Sequence, residues 1–392
     1  MALNTVSSDR LSTNVKNTNF TAAEKQDLTD DIKPLLGSSG GGNKNLIING
    51  AYLIAQRNVD ATGVSANGFA TVDRFTADQS GTDEYIEQHQ VDVSSGTTPY
   101  TLGFRKAFQV KNGNQTSGAG TSDRVTIAYK IEAQDMANSG WNYNSASSFV
   151  TFSYWVKSSV AQNFYNRFKS ADSPSQAYVT ETGSLSADTW TKITKTISGN
   201  SNIVFNNDNG EGLEITWELF RGTSQTGTRP LNAWAASDNN TRTPDQTSTW
   251  YTTNDATFEI TGVQLEVGSV ATDFEHRPFA EELELCKRYY QQSYPYGTYP
   301  SAVSANGSET VNIDDGAIQR TMIRLHKTMR ANSATTVIYN PATGASNSIR
   351  SNSGSNFTPG GIYDVGNNSF FTDYTPNSGE FVQFHWTIEM EI

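Results

Sequence analysis

Cysteine is almost missing from this chain. Cys286 stands alone among 392 residues, which excludes an internal disulfide and any cysteine-based zinc site. Histidine is scarce too. His89, His276, His326 and His385 lie far apart, and none has the spacing that puts two imidazoles on one metal. No run of about 18 apolar residues occurs, so no membrane-spanning helix is expected. The opening residues, MALNTVSSDRLSTNV, lack the apolar core of a secretory signal. Charge is thin at 17% and tilted to acid, with 28 Lys and Arg against 40 Asp and Glu for a net of -12. An acidic chain without a Lys/Arg cluster is not expected to bind nucleic acid, where phosphate neutralisation dominates affinity. No G-x-S-x-G elbow and no P-loop is present.

Neutral polar residues fill the gap. There are 41 Ser, 46 Thr and 35 Asn, with 31 Gly besides. Ser, Asn and Gly are weak inside helices because they compete for, or fail to constrain, the backbone. They suit turns, while Thr and the 11% aromatic residues suit strands. The expected fold class is mainly β: a jelly-roll β-sandwich body, a smaller C-terminal β domain, a short N-terminal anchor and a connecting helix.

Residues 1-44 differ from the rest, with no Trp or Tyr. Leu11 and Val15 are isolated in a polar background, too sparse for a core in one chain. Thr21 and Glu24 form a capping box for a short helix carrying Leu28 and Ile32 on one face before Pro34. GSSGGG at 37-42 reads as a flexible linker. Strands are expected through 45-279. In FVTFSYWVK, Val150, Phe152, Tyr154 and Val156 fall on one face and Thr151, Ser153, Trp155 and Lys157 on the other. In ATFEITGVQLEVG the apolar phase shifts across Thr261-Gly262, the mark of a β-bulge. The spacing of Phe279, Leu283, Cys286 and Tyr290 predicts a helix over 279-292, which either packs on its own sandwich or lies along a symmetry axis. Residues 293-392 read as the C-terminal β domain. They end in VQFHWTIEMEI, where Val382, Phe384, Trp386, Ile388, Met390 and Ile392 alternate with polar residues.

Two stretches resemble a known family. NLIINGAYLIAQRN (45-58), with TVDRFTA (71-77), and ITGVQLEVGSVATDFEHRPFAEELELCKRYYQQSY (260-294) are similar to segments that open and close a jelly-roll domain in tail-fibre and receptor-binding proteins of tailed bacteriophages. Ala51, Asn58 and Asp273 depart from the family pattern, at turns. The resemblance implies a homotrimeric virion protein with sandwiches like carbohydrate-binding modules, located in a tail or head fibre. Its expected partners are copies of itself, a virion protein held through residues 1-44, and a host-surface glycan or protein. Expected trimer contacts are Leu11, Val15, Leu28, Ile32, Leu283, Cys286 and Tyr290.

Binding and cleavage make different demands. Glycan binding needs aromatic faces with amide or carboxylate partners. Loop aromatics outside alternating runs are the candidates: Trp141, Tyr143, Trp234, Trp250 and Tyr251, then Tyr294 and Tyr296, and Tyr363 and Tyr374 towards the end of the chain. Glycoside cleavage needs two carboxylates about 5 to 9.5 Å apart. Asp208 with Glu211, Asp83 with Glu84, and Asp314 with Asp315 are the pairs to check, although no long-groove repeat accompanies them. No cofactor is expected. Asn206, Asp208 and Glu214 offer oxygen ligands for calcium, without the spaced series of an EF-hand. The sequence therefore favours a non-enzymatic phage fibre protein, over a structural decoration or adaptor and over a surface-glycan depolymerase.

Overall fold

A computed structural model describes residues 44–312, 318–354, 356–359, 361–375 and 379–392. The expected contacts Leu11, Val15, Leu28 and Ile32, the capping-box helix, the anchor over 1–43 and the Asp314/Asp315 pair lie outside these residues.

Two six-stranded antiparallel sheets pack face to face. Across the first run β1 (Asp60–Ala61), β3 (Glu87–Asp92), β4 (Lys106–Lys111), β12 (Thr257–Val267), β6 (Phe149–Ser158) and β9 (Thr191–Ser198). Across the second run β11 (Trp234–Ala236), β8 (Gln176–Glu181), β7 (Tyr165–Ser170), β10 (Glu211–Arg221), β5 (Arg124–Glu132) and β2 (Phe75–Ser80). Neighbours far apart in sequence, joined in two layers, make this a jelly-roll sandwich. The inward alternation of β6 and β10 builds the core. Phe152 and Tyr154 meet Trp217 of the other sheet at ring distances of 5.7 and 5.8 Å, and Phe152 meets Phe168 edge-on at 5.1 Å.

The phase shift in β12 is a bulge. Its pairing with β6 slips between Thr261 and Gln264. Gly262 sits there at φ +63, and the Phe104 ring occupies the space a side chain would need, 2.5 Å from the position of a Cβ. Here glycine is required twice, by backbone conformation and by crowding.

The helix over Phe279–Cys286 is shorter than the spacing predicts. It ends because Tyr290–Gln292 leaves as strand β13 and pairs with the last strand of the chain. Sheet pairing overrides the helical period at Tyr290. The helix lies on its own sandwich, with the Asn49 amide donating to Glu282 Oε1 at 2.5 Å. Cys286 and Tyr290 are buried within the chain and Leu283 is half-buried. This corrects the expectation that Cys286 and Tyr290 form a seam between protomers.

The remaining strands are β14 (Glu309–Asn312), β15 (Gln319–Arg324), β16 (Thr335–Tyr339), β17 (Ile349–Ser351), β18 (Asn356–Phe357), β19 (Gly361–Tyr363), β20 (Ser369–Tyr374) and β21 (Phe381–Glu389). β21 is central. It pairs with β13 and β16 along one half and with β14 and β17 along the other. Val382, Phe384, Trp386, Ile388 and Met390 form one core with Ile338, Ile349 and Phe370. A separate three-stranded sheet runs β15-β20-β19.

Candidate functional site

The residues of the two sequence motifs converge on each other. Asn45 donates through Nδ2 to the Val263 carbonyl at 3.1 Å and accepts from the Leu265 amide at 3.0 Å, stitching the start of the sandwich to its last strand. Glu275 accepts from the Asn45 amide at 2.9 Å, and Arg277 donates to the Ile47 carbonyl at 3.0 Å. Gln56 donates to both Asp73 oxygens, from its amide at 3.0 Å and from Nε2 at 2.5 Å. Arg57 donates to Glu389 and Glu391, at 3.1 and 3.0 Å from Nη2, and lies over the Tyr290 ring at 4.1 Å. Arg74 pairs with Glu391 and covers Tyr289 at 3.4 Å. Tyr289 and Arg288 both donate to Glu132, each at 2.6 Å.

Burial sets the charges in this network. It pushes the Asp73 carboxyl up, against the pull of Arg57 and Gln56. At Glu132 burial also pushes up, but the bonds from Arg288 and Tyr289 win and hold the group below its ordinary value. Both motifs thus close the sandwich and dock β21 against it.

Most of the loop aromatics predicted to contact glycan are structural. Trp141, Trp250, Tyr251, Tyr294 and Tyr374 are buried, which removes them as exposed platforms. Tyr251 stacks on Phe220 at 4.3 Å and donates to Asp123 at 2.9 Å. Tyr294 stacks on His385 at 3.7 Å, and Tyr374 shares a 2.6 Å hydrogen bond with Thr321. Tyr143 packs edge-on against Phe205 at 4.8 Å. Trp234 rests on Tyr178 and donates to the Ser198 carbonyl at 2.7 Å. Tyr296 and Tyr363 remain exposed, on separate elements: Tyr296 meets Phe279 edge-on at 4.9 Å, and Tyr363 lies under Arg320.

The oxygen ligands proposed for calcium are dispersed. Asn206 binds Asp172, Asp208 accepts from the Gly210 amide at 2.8 Å, and Glu214 faces Arg167. That arrangement is an Asn-Gly turn beside a sheet ion pair. Of the carboxylate pairs, Glu211 is held by Lys130 and Lys169, and Asp83 accepts from Ser117.

The outer face of the first sheet carries what the loops do not. Trp155 points away from the core, opposite Thr261 on β12 and Lys192 on β9. Trp190, just before β9, lies under the Lys157 ammonium at 5.3 Å. Both indoles are half-buried. They flank a small apolar cluster of Ala51, Val93, Phe104 and Ala107, with Phe274 and Tyr100 further along. Neither indole N–H has an acceptor among the described residues.

A polar row crosses the strands beside these rings. Asp60 faces His89 at 2.8 Å, and His89 pairs in register with Gln109. Gln109 Nε2 donates to Glu259 at 2.9 Å, and Lys157 meets Glu259 at 2.8 Å. Gln109 Oε1 and the remaining Lys157 protons are free among the described residues. The arrangement joins flat apolar rings to hydrogen-bonding groups spaced one strand apart, about 4.8 Å. Trp155 was visible in the sequence as the aromatic residue out of phase with Phe152 and Tyr154. It lies inside a strand, not in a loop. Trp190 carries no comparable signal, since only the pairing of β9 with β6 places it.

No family model matches the chain, and no curated protein matches it. Solved structures with a similar arrangement include the enzymatically active domain of tailspike protein 4 of bacteriophage CBA120, at 11% identity over 57% of this chain and 22% of that one, with a TM-score of 0.30. The match therefore spans about a fifth of that domain. A family 4 carbohydrate-binding module is 12% identical over 56% and 98% of the two chains, with a TM-score of 0.27. The N-terminal cellulose-binding domain of Cellulomonas fimi β-1,4-glucanase C is 13% identical over 54% and 96%, with a TM-score of 0.26.

Proposed function

We propose that this protein binds glycan through the outer face of its first sheet, as the adhesive part of a phage-type fibre. The observation that carries the reading is Trp155 and Trp190, half-exposed on a sheet face beside the Gln109–Glu259–Lys157 row. Both indoles pack on the same apolar cluster and stay half-exposed, which makes an apolar surface patch of the kind that meets ligands. A pyranose offers apolar C–H faces to the rings and hydroxyls to the row. The fibre role rests on the resemblance of 45-58 and 260-294 to phage receptor-binding proteins. With it go a homotrimer, residues 1-44 as the virion attachment, a place in the virion, and action by binding without bond cleavage. Three copies of one weak site would reach useful avidity.

The test is a glycan array with the whole protein, followed by titration of any hit with Trp155→Ala and Trp190→Ala. Loss of binding by about tenfold or more in both variants, together with competition of the wild type against phage adsorption, supports the reading. A correctly folded protein that captures no glycan, or hits unchanged in both variants, overturns it.

A further inference from the structure

The three-stranded sheet β15-β20-β19 has one face in the C-terminal core and one outside. Ile323, Phe370 and Ile362 pack into the core. By alternation the residues between them point out, and register sorts them into rows. Met322, Phe371 and Tyr363 form one row across the three strands. Met322 and Tyr363 are exposed and Phe371 is half-buried. Arg320 and the buried Asp373 pair on one side of that row, and Arg324 pairs with Ser369 on the other. An apolar strip thus lies between two guanidiniums of one strand, four residues and about 13 Å apart along it.

Charge is distributed unevenly here. The chain carries -12 overall, yet no Asp or Glu stands between Asp315 and Asp364, a stretch that holds Arg320, Arg324, Lys327, Arg330 and Arg350. Arg330 is engaged by the carbonyls of Met390, Asn209 and Glu391. Arg324 is exposed and has no partner among the described residues. Arg320 is half-exposed, and its guanidinium lies over the Tyr363 ring at 4.7 Å. Its nearest acid, Asp373, is 3.7 Å away, beyond hydrogen-bond reach. Gly361 makes room for that ring, since a Cβ there would stand 2.5 Å from the Tyr363 Cζ. Tyr363 therefore orients Arg320 through its π-face and leaves the N–H groups open to a ligand.

We propose that this face binds an acidic polysaccharide, with one carboxylate of the ligand at Arg320, another at Arg324, and the sugar between them on Met322, Phe371 and Tyr363. That the partner is a saccharide rests on the glycan-binding reading above; that it is anionic rests on this face alone. A guanidinium meets a carboxylate through two parallel N–H groups and is more weakly hydrated than an ammonium, so it exchanges water for a ligand oxyanion readily. Two open arginines are too few for the phosphate contacts that hold nucleic acid, and the net negative charge of the chain opposes a long polyanion. The affinity comes from local contacts.

The whole protein would be titrated with polygalacturonate, alginate and hyaluronate, with the methyl ester of polygalacturonate as an uncharged control and double-stranded DNA as a polyanion of another class. The double variant Arg320→Gln, Arg324→Gln removes both charges from solvent-facing positions, and Trp155→Ala alters the first-sheet platform. The expected result is binding of at least one acidic polymer, with polygalacturonate preferred over its ester if it is the one bound. That binding should weaken by about tenfold or more in the arginine variant and stay unchanged in Trp155→Ala. Binding of none of the three, a bound ester equal to its acid, or an affinity that follows Trp155 and not the arginines overturns the site. DNA bound as tightly, with the same arginine dependence, overturns it too. The two readings fail separately. Neutral glycan captured through Trp155 with no acidic polymer bound leaves the first-sheet platform standing, whereas arginine-dependent capture of an acidic polymer without any glycan held through Trp155 removes the platform and supports this face.

Discussion

The guanidinium of Arg57 lies over the ring of Tyr290, 4.1 Å from carbon to centroid, and so joins the first motif of the sequence to the second. Around this pair Asp73, Glu389 and Glu391 supply the counter-charges. Removing one partner of such a buried cluster leaves the others uncompensated, at a cost of about 3 to 5 kcal/mol. Arg57→Ala is expected to lower the unfolding free energy by that amount in urea titration, and more than Lys287→Ala at the exposed Glu284 pair. Equal losses would show that Arg57 does not hold β21 against the sandwich.

Much of this architecture is legible in the sequence. The alternation of 149-158 fixed which side of β6 is core, and the shift at Thr261-Gly262 located the bulge. The reach of a helix was not legible: Tyr290 continues the helical period of Cys286, yet pairing with Glu389, about a hundred residues on, takes it into a strand. Loop aromatics misled for a related reason. Composition marks a Trp as outside a strand but cannot say whether the loop folds over it, as the turn at Trp250 and Tyr251 does.

The two classes of tryptophan separate on stability. Trp217 is enclosed by Phe75, Phe152 and Tyr154, and Trp217→Ala should cost about 3 to 5 kcal/mol. Trp155→Ala and Trp190→Ala, on the half-exposed face, should each cost about 1 kcal/mol or less. Thermal melts of the three variants decide this. A collapse of Trp155→Ala comparable to Trp217→Ala would mark Trp155 as core.

Gly262→Ala should destabilise by about 1 to 3 kcal/mol. The residue would keep φ at +63 against the preference of an L side chain, and its Cβ would meet the Phe104 ring. Phe104→Ala made with it removes the ring but not the φ cost, so the double variant should lose less than the sum of the single ones. Strict additivity of the two losses would show that the ring is not what crowds the bulge.

Deleting residues 382–392 should give insoluble protein. The deletion removes most of β21, which leaves β13, β14, β16 and β17 without their common neighbour and exposes Ile338, Ile349 and Phe370. Soluble expression of the truncated chain as a trimer, measured by sedimentation, would contradict this.

Acid should weaken the C-terminal unit through His385. The ring is buried, stacked on Tyr294. Nε2 faces the Ser304 carbonyl at 2.9 Å, which assigns the proton to Nε2 and leaves Nδ1 to accept from the Ser293 hydroxyl, also at 2.9 Å. The Trp386 amide donates to that same hydroxyl oxygen at 3.0 Å, so the serine proton is directed to the ring. Burial holds His385 below its ordinary value of 6.5, against the contribution of the Ser304 carbonyl. The unfolded chain therefore binds this proton more readily than the folded one. The stabilisation is present above 6.5, and falls away as pH drops from there towards the depressed folded value. Melting temperatures of the wild type and His385→Gln, taken between pH about 7.5 and about 5, should converge as pH falls. A constant gap across that range would show that His385 carries no proton linkage to folding.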